Sequence, residues 1–307
     1  YLLHILAKIA NNHNRSHNMI GKIEQILIEL QEDIKKNFQK IEIFDFFKGN
    51  KVILLFLFKQ NIISPDKYIF DYITDDYYIS QNYPQFFYSE FSSFFSKELK
   101  EKINKNGQIQ IPTNELKDQD REVGENTFDL CELIRKDNVS EFESFIQSKS
   151  YSPSTQIPKS IYETNSPIVN KKLTLIEYSC FCGSNQIFQY LKEKVARLIS
   201  GLWSYAVHGN NLEIIKTLEE NNVQPPNSSY KKVYDESILC HHNELAKYLK
   251  EKHNIKNDFS TFCECLRSFN FIYLTESIQD KSFNLNSLVY DNPSSIYFLC
   301  KYGYYNI

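Results

Sequence analysis

Three windows of the chain repeat one pattern, and that repetition limits the fold more than any other feature. The first is Thr174-Leu-Ile-Glu-Tyr-Ser-Cys-Phe-Cys-Gly183, followed by Ile187 and Leu191. The second is Ser200-Gly-Leu-Trp-Ser-Tyr-Ala-Val-His-Gly209, followed by Ile214 and Leu218. The third is Lys232-Val-Tyr-Asp-Glu-Ser-Ile-Leu-Cys-His241, followed by Leu245 and Leu249. Each reads as a short apolar helix with small residues in its middle, a turn, and a second helix carrying an apolar pair four residues apart, the spacing of one helical face. The anchors Ile187, Ile214 and Leu245 stand 27 and 31 residues apart. A helix pair of that length cannot cover both of its apolar faces, so copies must stack and share a core. Weaker copies fall at 127–146 and 49–57, and further ones around 262–278 and 288–303.

Small residues inside the first helix (Ser179 and Cys180; Ala206; Ser237) allow the next pair to approach closely. Gly183 and Gly209 suit a helix end, where a positive φ costs glycine little. His241 fills that place less well in the third copy.

The ten-residue window resembles the Thr-Pro-Leu-His-x-Ala-Ala-x-x-Gly core of ankyrin repeats, whose period is about 33. Thr174, Ile176 and Gly183 match it, as do Ser200, Leu202, Ala206 and Gly209. Residues 126–280 also resemble a divergent ankyrin-like domain of unknown function common in ankyrin proteins of parasitic anaerobic protists. Leu175-Ile-Glu-Tyr, Tyr205-Ala-Val-His-Gly-Asn and Cys240-His-His-Asn carry that likeness, and Ile53-Leu-Leu-Phe-Leu-Phe resembles the leading region of the same proteins. The resemblance implies a binding scaffold with no enzymatic activity and no cofactor. Glu177, Trp203 and Asp235 stand at the motif His, and Leu175, Gly201 and Val233 at the motif Pro. The short spacings imply trimmed loops between repeats. The fold expected is therefore all-α: an ankyrin-like helical repeat solenoid with an N-terminal helical segment.

Elsewhere, Ile20, Ile23, Leu27, Leu30, Ile34, Phe38 and Ile41 follow at steps of three or four, predicting one amphipathic helix over 20–43. Phe87, Phe91, Phe94, Phe95 and Leu99 predict another. The longest apolar run, 52–58, is far short of the roughly 20 residues of a bilayer span and reads as a buried helix. Residues 1–10 read as a helix rather than a signal peptide. With Tyr at position 1 and its one Met at 19, the chain leaves open that it is a piece of a longer protein. Charged and amide-rich residues make 104–126 a linker, dividing an N-terminal helical region with a degenerate repeat (1–103) from the repeats (127–307). Pro153, Pro158 and Pro167 among Ser, Thr and Asn make 147–172 a long exposed loop.

Composition narrows the function. Thirty-five basic and 38 acidic side chains leave a net charge of −3, with no basic footprint for a phosphate backbone, so nucleic acid is not the expected partner. Only 8 Gly and 9 Pro favour helices over strands and turns. Seven Cys at irregular spacing read as reduced thiols, hence an intracellular, cytoplasmic protein without a membrane span.

The expected partner is another protein. Its contacts are expected on the open side of the first helices, at Tyr178, Phe181, Ser204, His208, Glu236 and Leu239, with Trp203 either a packing replacement or an interface hot spot. Cys180-x-Cys182 and Cys263-x-Cys265 point about 200° apart on a helix and read as core thiols. Asp75-Asp76 and Asp235-Glu236 read as solvated. Two other readings stand beside this one. One is an enzyme or metal-binding protein built around Cys240, His241 and His242, the densest group of metal-capable side chains. The other is a structural segment of a self-assembling complex. No phosphate loop, nucleophile elbow or His-Glu-x-x-His occurs in the chain.

Overall fold

The computed structural model describes residues 2–12, 16–106, 109–112, 116–194 and 197–279. Every regular element among them is helical, and the only extended pairing is an isolated antiparallel bridge between Gln156 and Thr174. In chain order the helices are α1 (Leu2–Asn12), α2 (His17–Glu29), α3 (Gln31–Asn37), α4 (Lys40–Phe47), α5 (Lys51–Lys59), α6 (Lys67–Ile73), α7 (Asp76–Ser80), α8 (Tyr83–Phe86), α9 (Tyr88–Phe91), α10 (Lys97–Asn106) and α11 (Asp118–Val123). They continue with α12 (Asp129–Lys136), α13 (Val139–Ser148), α14 (Leu175–Cys182), α15 (Asn185–Lys194), α16 (Leu202–Gly209), α17 (Leu212–Glu220), α18 (Tyr230–Leu239), α19 (Asn243–Lys252), α20 (Phe259–Ser268) and α21 (Phe271–Gln279). The chain divides into two compact units, one holding residues 13–132 and 156–174, the other 1–12, 133–155 and 175–307. The copy expected at 288–303 lies outside the described residues.

In the first of these units α5 is the central element. Val52, Ile53, Leu54, Leu55, Leu57 and Phe58 are all buried, as a helix apolar on every side must be. Asn50 starts it, its side chain accepting from the Ile53 N–H at 3.0 Å. Residues 20–43 do not form one helix. The turn closes at Leu30 (φ −94°, ψ 2°), Phe38 leaves helical geometry, and α4 restarts where the Gln39 N–H donates to Glu42 Oε2 at 2.7 Å. A capping signal inside the apolar spacing overrides its continuity. The aromatic run 87–99 is likewise broken into short pieces. The rings of Phe91, Phe94 and Phe95 all gather on Phe70, with centroids 5.9, 5.5 and 4.9 Å away. A continued helix would set the neighbours Phe94 and Phe95 about 100° apart.

Two expectations about polar segments are corrected. Residues 104–126 are not simply a linker, because α11 packs on α5 and buries Arg121 to 2% exposure. Arg121 Nη1 donates to Glu90 at 2.7 and 2.9 Å and to the Phe86 carbonyl at 3.1 Å, and Asp118 takes Nη2. Residues 149–174 form no helix, yet they are not an exposed loop. Ile157, Glu163, Asn165, Ile168 and Leu173 are buried, and Thr164 hydrogen-bonds the Gly124 carbonyl through its N–H (3.0 Å) and its hydroxyl (2.8 Å). Proline excludes helix there, but it does not exclude burial when side chains satisfy the backbone.

The other unit is built of helix hairpins. Helices α14, α16, α18 and α20 pack each on the next, and α13, α15 and α17 do the same. Each hairpin turns through one left-handed residue, at Asp137, Gly183, Asn210, His241 and Phe269. Counting from these residues puts the four later hairpins in one register. Four residues before the turn residue lie Ser179, Ala206, Ser237 and Cys265, all fully buried. Four residues after the turn lie Ile187, Ile214, Leu245 and Tyr273, also buried. This register corrects the second window by one residue. Asn210, not Gly209, matches Gly183, and Ser204, not Trp203, matches Glu177 and Asp235. Trp203 belongs with Ile176, Tyr234 and Phe262, a column of buried residues.

The residue after three of these turns ties hairpins together. Ser184 Oγ donates to the Ile134 carbonyl at 2.6 Å, Asn211 Nδ2 to Gly183 O at 2.9 Å, and Asn270 Nδ2 to Ile238 O at 3.0 Å. Helix α1 packs on α20, with the His4 and Phe269 rings 5.7 Å apart.

Candidate functional site

Of the seven residues expected to contact a partner, the structure leaves four accessible. Ser204 is exposed, and His208, Glu236 and Leu239 are half-buried. Tyr178, Phe181 and Trp203 are buried, at 2%, 3% and 0% exposure. Tyr178 turns inward to accept from Arg135 Nη1 at 2.8 Å, and the Phe181 ring stands 5.9 Å from that of His208. Trp203 is a packing residue, since its Nε1 donates to the Val223 carbonyl at 2.6 Å and anchors the loop after α17. Tyr234, in the same column, does the equivalent with Asn257 Oδ1 at 2.7 Å.

Two of the accessible residues, His208 and Glu236, converge with a thiol. Glu236 on α18 and Cys240, which caps that helix, are four apart, the spacing that brings two side chains to one face. His208, in the last turn of α16, sits between them. Its Nε2 lies 3.0 Å from Glu236 Oε1 and its Nδ1 3.4 Å from Cys240 Sγ. One donor atom from each of the three lies within 4.8 Å of the others. The metal-capable group expected at Cys240, His241 and His242 is therefore replaced. Of the three, Cys240 alone joins this cluster, whereas His241 turns away to the Ser268 carbonyl, 2.7 Å from its Nε2. The signal the sequence held was the four-residue step from Glu236 to Cys240.

A Cys–His–carboxylate line resembles nucleophilic machinery, but the thiol is poorly suited to it. Cys240 is buried, and burial first, with the Glu236 charge second, holds its pKa well above the ordinary value. A thiol kept protonated is not an activated nucleophile. Asp235, expected to be solvated, is half-buried; Lys231 Nζ reaches both of its oxygens at 2.6 Å and Thr261 Oγ1 donates at 3.1 Å. Burial raises the pKa of Glu264 on α20, and the charges of Asp235 and Glu236 add to that, while Arg267 opposes it. The open side of the first helices thus carries a run of neighbouring carboxylates.

The other unit holds a feature that sequence reasoning passed over. Lys51, at the start of the apolar α5, is 4% exposed. Its ammonium donates to the Gln81 carbonyl and lies over the Tyr83 and Phe86 rings at 4.9 and 5.6 Å. Burial pushes its pKa down to about 7 against the opposing charge of Glu163. It lines a cavity of about 300 Å³ together with Lys48, Tyr77, Tyr78, Tyr83 and Thr164.

Comparison with protein-family models, with curated proteins and with solved structures finds no match to this chain. Among the described residues, no helix is long and apolar enough to cross a membrane.

Proposed function

We propose that the chain is a non-catalytic protein-binding scaffold of stacked helix hairpins, an ankyrin-like solenoid that offers the open side of its first helices to another protein. One observation carries this reading: four successive hairpins share a register in which the small, apolar and turn positions recur together. In that register the small pair of the ankyrin core falls on Ser179 and Cys180, on Ala206 and Val207, and on Ser237 and Ile238. Such stacking presents a continuous side of one helix per repeat, and that side is where a partner is bound in repeat architectures. Ser204, Glu236, Leu239 and Glu264 supply it here, and their carboxylates favour a partner with a basic contact face. The six described cysteines form no disulfide, which supports a reducing, cytoplasmic setting.

The test is affinity capture with the full chain and with two surface variants. Ser204→Arg combined with Leu239→Arg alters the first-helix side, and Glu213→Arg combined with Lys216→Glu alters α17. A partner lost with the first variant and kept with the second supports the proposal. Equal retention by both variants, with each folded, overturns it.

A further inference from the structure

We propose that His208, Glu236 and Cys240 form a binding site for one divalent cation of the zinc class, bridging two successive hairpins. The proposal does not rest on the partner-binding reading, although Glu236 belongs to both. It rests on the donor set, on the spacing and on the distances.

The donors are one imidazole nitrogen, one thiol sulfur and one carboxylate oxygen. Zinc accepts all three, and its catalytic and regulatory sites commonly take three protein ligands and keep one position for water or an incoming group. Calcium and magnesium, which require oxygen ligands, do not fit the set. The helical step from Glu236 to Cys240 places two ligands on one face of α18, and α16 delivers the third from the neighbouring hairpin.

The distances suit a shared ion. Bond lengths of about 2.3 Å to sulfur and about 2.0–2.1 Å to nitrogen set tetrahedral ligands roughly 3.5 Å apart. Cys240 Sγ and His208 Nδ1 are separated by 3.4 Å. Glu236, the most accessible of the three, already reaches the opposite ring nitrogen at 3.0 Å, and its oxygen is within 4.8 Å of the other donors. A turn of its outer dihedrals, or a flip of the imidazole, brings the three onto one ion. On binding, the Cys240 S–H bond breaks, a metal–sulfur bond forms and the proton passes to solvent. The burial that disfavours a bare thiolate favours one neutralised by a cation.

The experiment uses the full chain, stripped with chelator, and Co²⁺ alone as an optical probe, with Zn²⁺ as competitor. The wild-type protein should develop a thiolate-to-cobalt charge-transfer band that saturates at one equivalent and is abolished by Zn²⁺. Cys240→Ser should remove the band. His208→Gln, on a half-buried side chain, should weaken Zn²⁺ binding by more than the roughly 10–100-fold that loss of a supporting residue costs a metal site. Circular dichroism of each metal-free variant checks that it is folded, and His208→Gln keeps the test decisive should the buried Cys240→Ser fail to fold. No band in the wild-type protein, a band that survives Cys240→Ser, or unchanged affinity in His208→Gln would each overturn the proposal.

Discussion

Gly183 and Gly209 meet backbone to backbone across two successive hairpins. A Cβ on Gly209 would stand 2.0 Å from the Cys180 carbonyl oxygen and 2.8 Å from the Gly183 nitrogen, and one on Gly183 would stand 2.3 Å from the Gly209 carbonyl oxygen. No side chain can occupy that gap, and the obstacles are main-chain atoms that cannot swing aside. Gly183 carries a second constraint, a φ of +70°.

Gly209→Ala should therefore force α14 and α16 apart, at a cost of about 1–3 kcal/mol or more. Gly183→Ala should cost at least as much, since it adds left-handed strain. Gly21→Ala in α2, where a Cβ meets nothing within 4 Å, should instead stabilise by about 1 kcal/mol. Urea denaturation followed by far-UV circular dichroism measures all three, and an unaffected Gly209→Ala would mean that the two hairpins are not in contact there.

Trp203 is the only tryptophan and is fully buried. Its emission should be blue-shifted and resistant to acrylamide in the native protein, and should move to the red in one step as this unit unfolds. Trp203→Phe leaves the Val223 carbonyl without its donor and should cost about 1–3 kcal/mol.

Arg121 should prove costly to remove. Its guanidinium is buried against Glu90, Asp118 and the Phe86 carbonyl, so Arg121→Ala leaves Glu90 partly buried without its cation, and a loss of about 3–5 kcal/mol is expected. Arg121→Met, which keeps much of the packing, should lose less. Chemical denaturation ranks the two.

Lys51 gives a pH dependence whose sign follows from its lowered pKa. Between about 7 and 10.4 the unfolded chain holds the proton and the folded chain has released it, so stability rises with pH across that window. Below about 7 both states are protonated, and the cost of the buried charge is present in full. Lys51→Met should flatten the rise, so the difference in melting temperature between wild type and variant should shrink from pH 7 to pH 9. A constant difference would show that the ammonium is not titrating in the folded protein.

How much of this could be read in the chain depended on which force set each feature. The second-helix anchors Ile187, Ile214 and Leu245 were legible because burial at a fixed spacing leaves a mark on composition. The turn register was legible in the first and third windows and missed by one residue in the second. Gly209 resembles a helix cap, yet the left-handed residue is Asn210, and asparagine adopts that conformation at little cost. His241 turns the third hairpin where the window places it, whereas Phe269 turns the fourth with no sequence signal. The same offset set Trp203 at the motif-His position, where it reads as packing or as a hot spot, and the structure packs it. Tyr178 and Phe181 were misjudged because an aromatic residue on the less crowded side of a helix can fold inward, as Tyr178 does to reach Arg135. The cluster of His208 with Glu236 and Cys240 joins two successive helix hairpins, so no local motif could reveal it. Lys51 was hidden by the apolar run it precedes.

The docking of α1 on α20 has a consequence for biosynthesis. These helices are separated by more than 240 residues of chain, and residues 13–132 lie between α1 and the remainder of its unit. A ribosome delivering the chain from its amino end releases α1 long before its seat exists. The intervening unit is translated as far as Thr174 before most of the hairpins emerge and is free to mature first, leaving α1 waiting. Closure across so great a loop is slow, so a late folding step should be the capture of α1 by a helix made more than 240 residues after it.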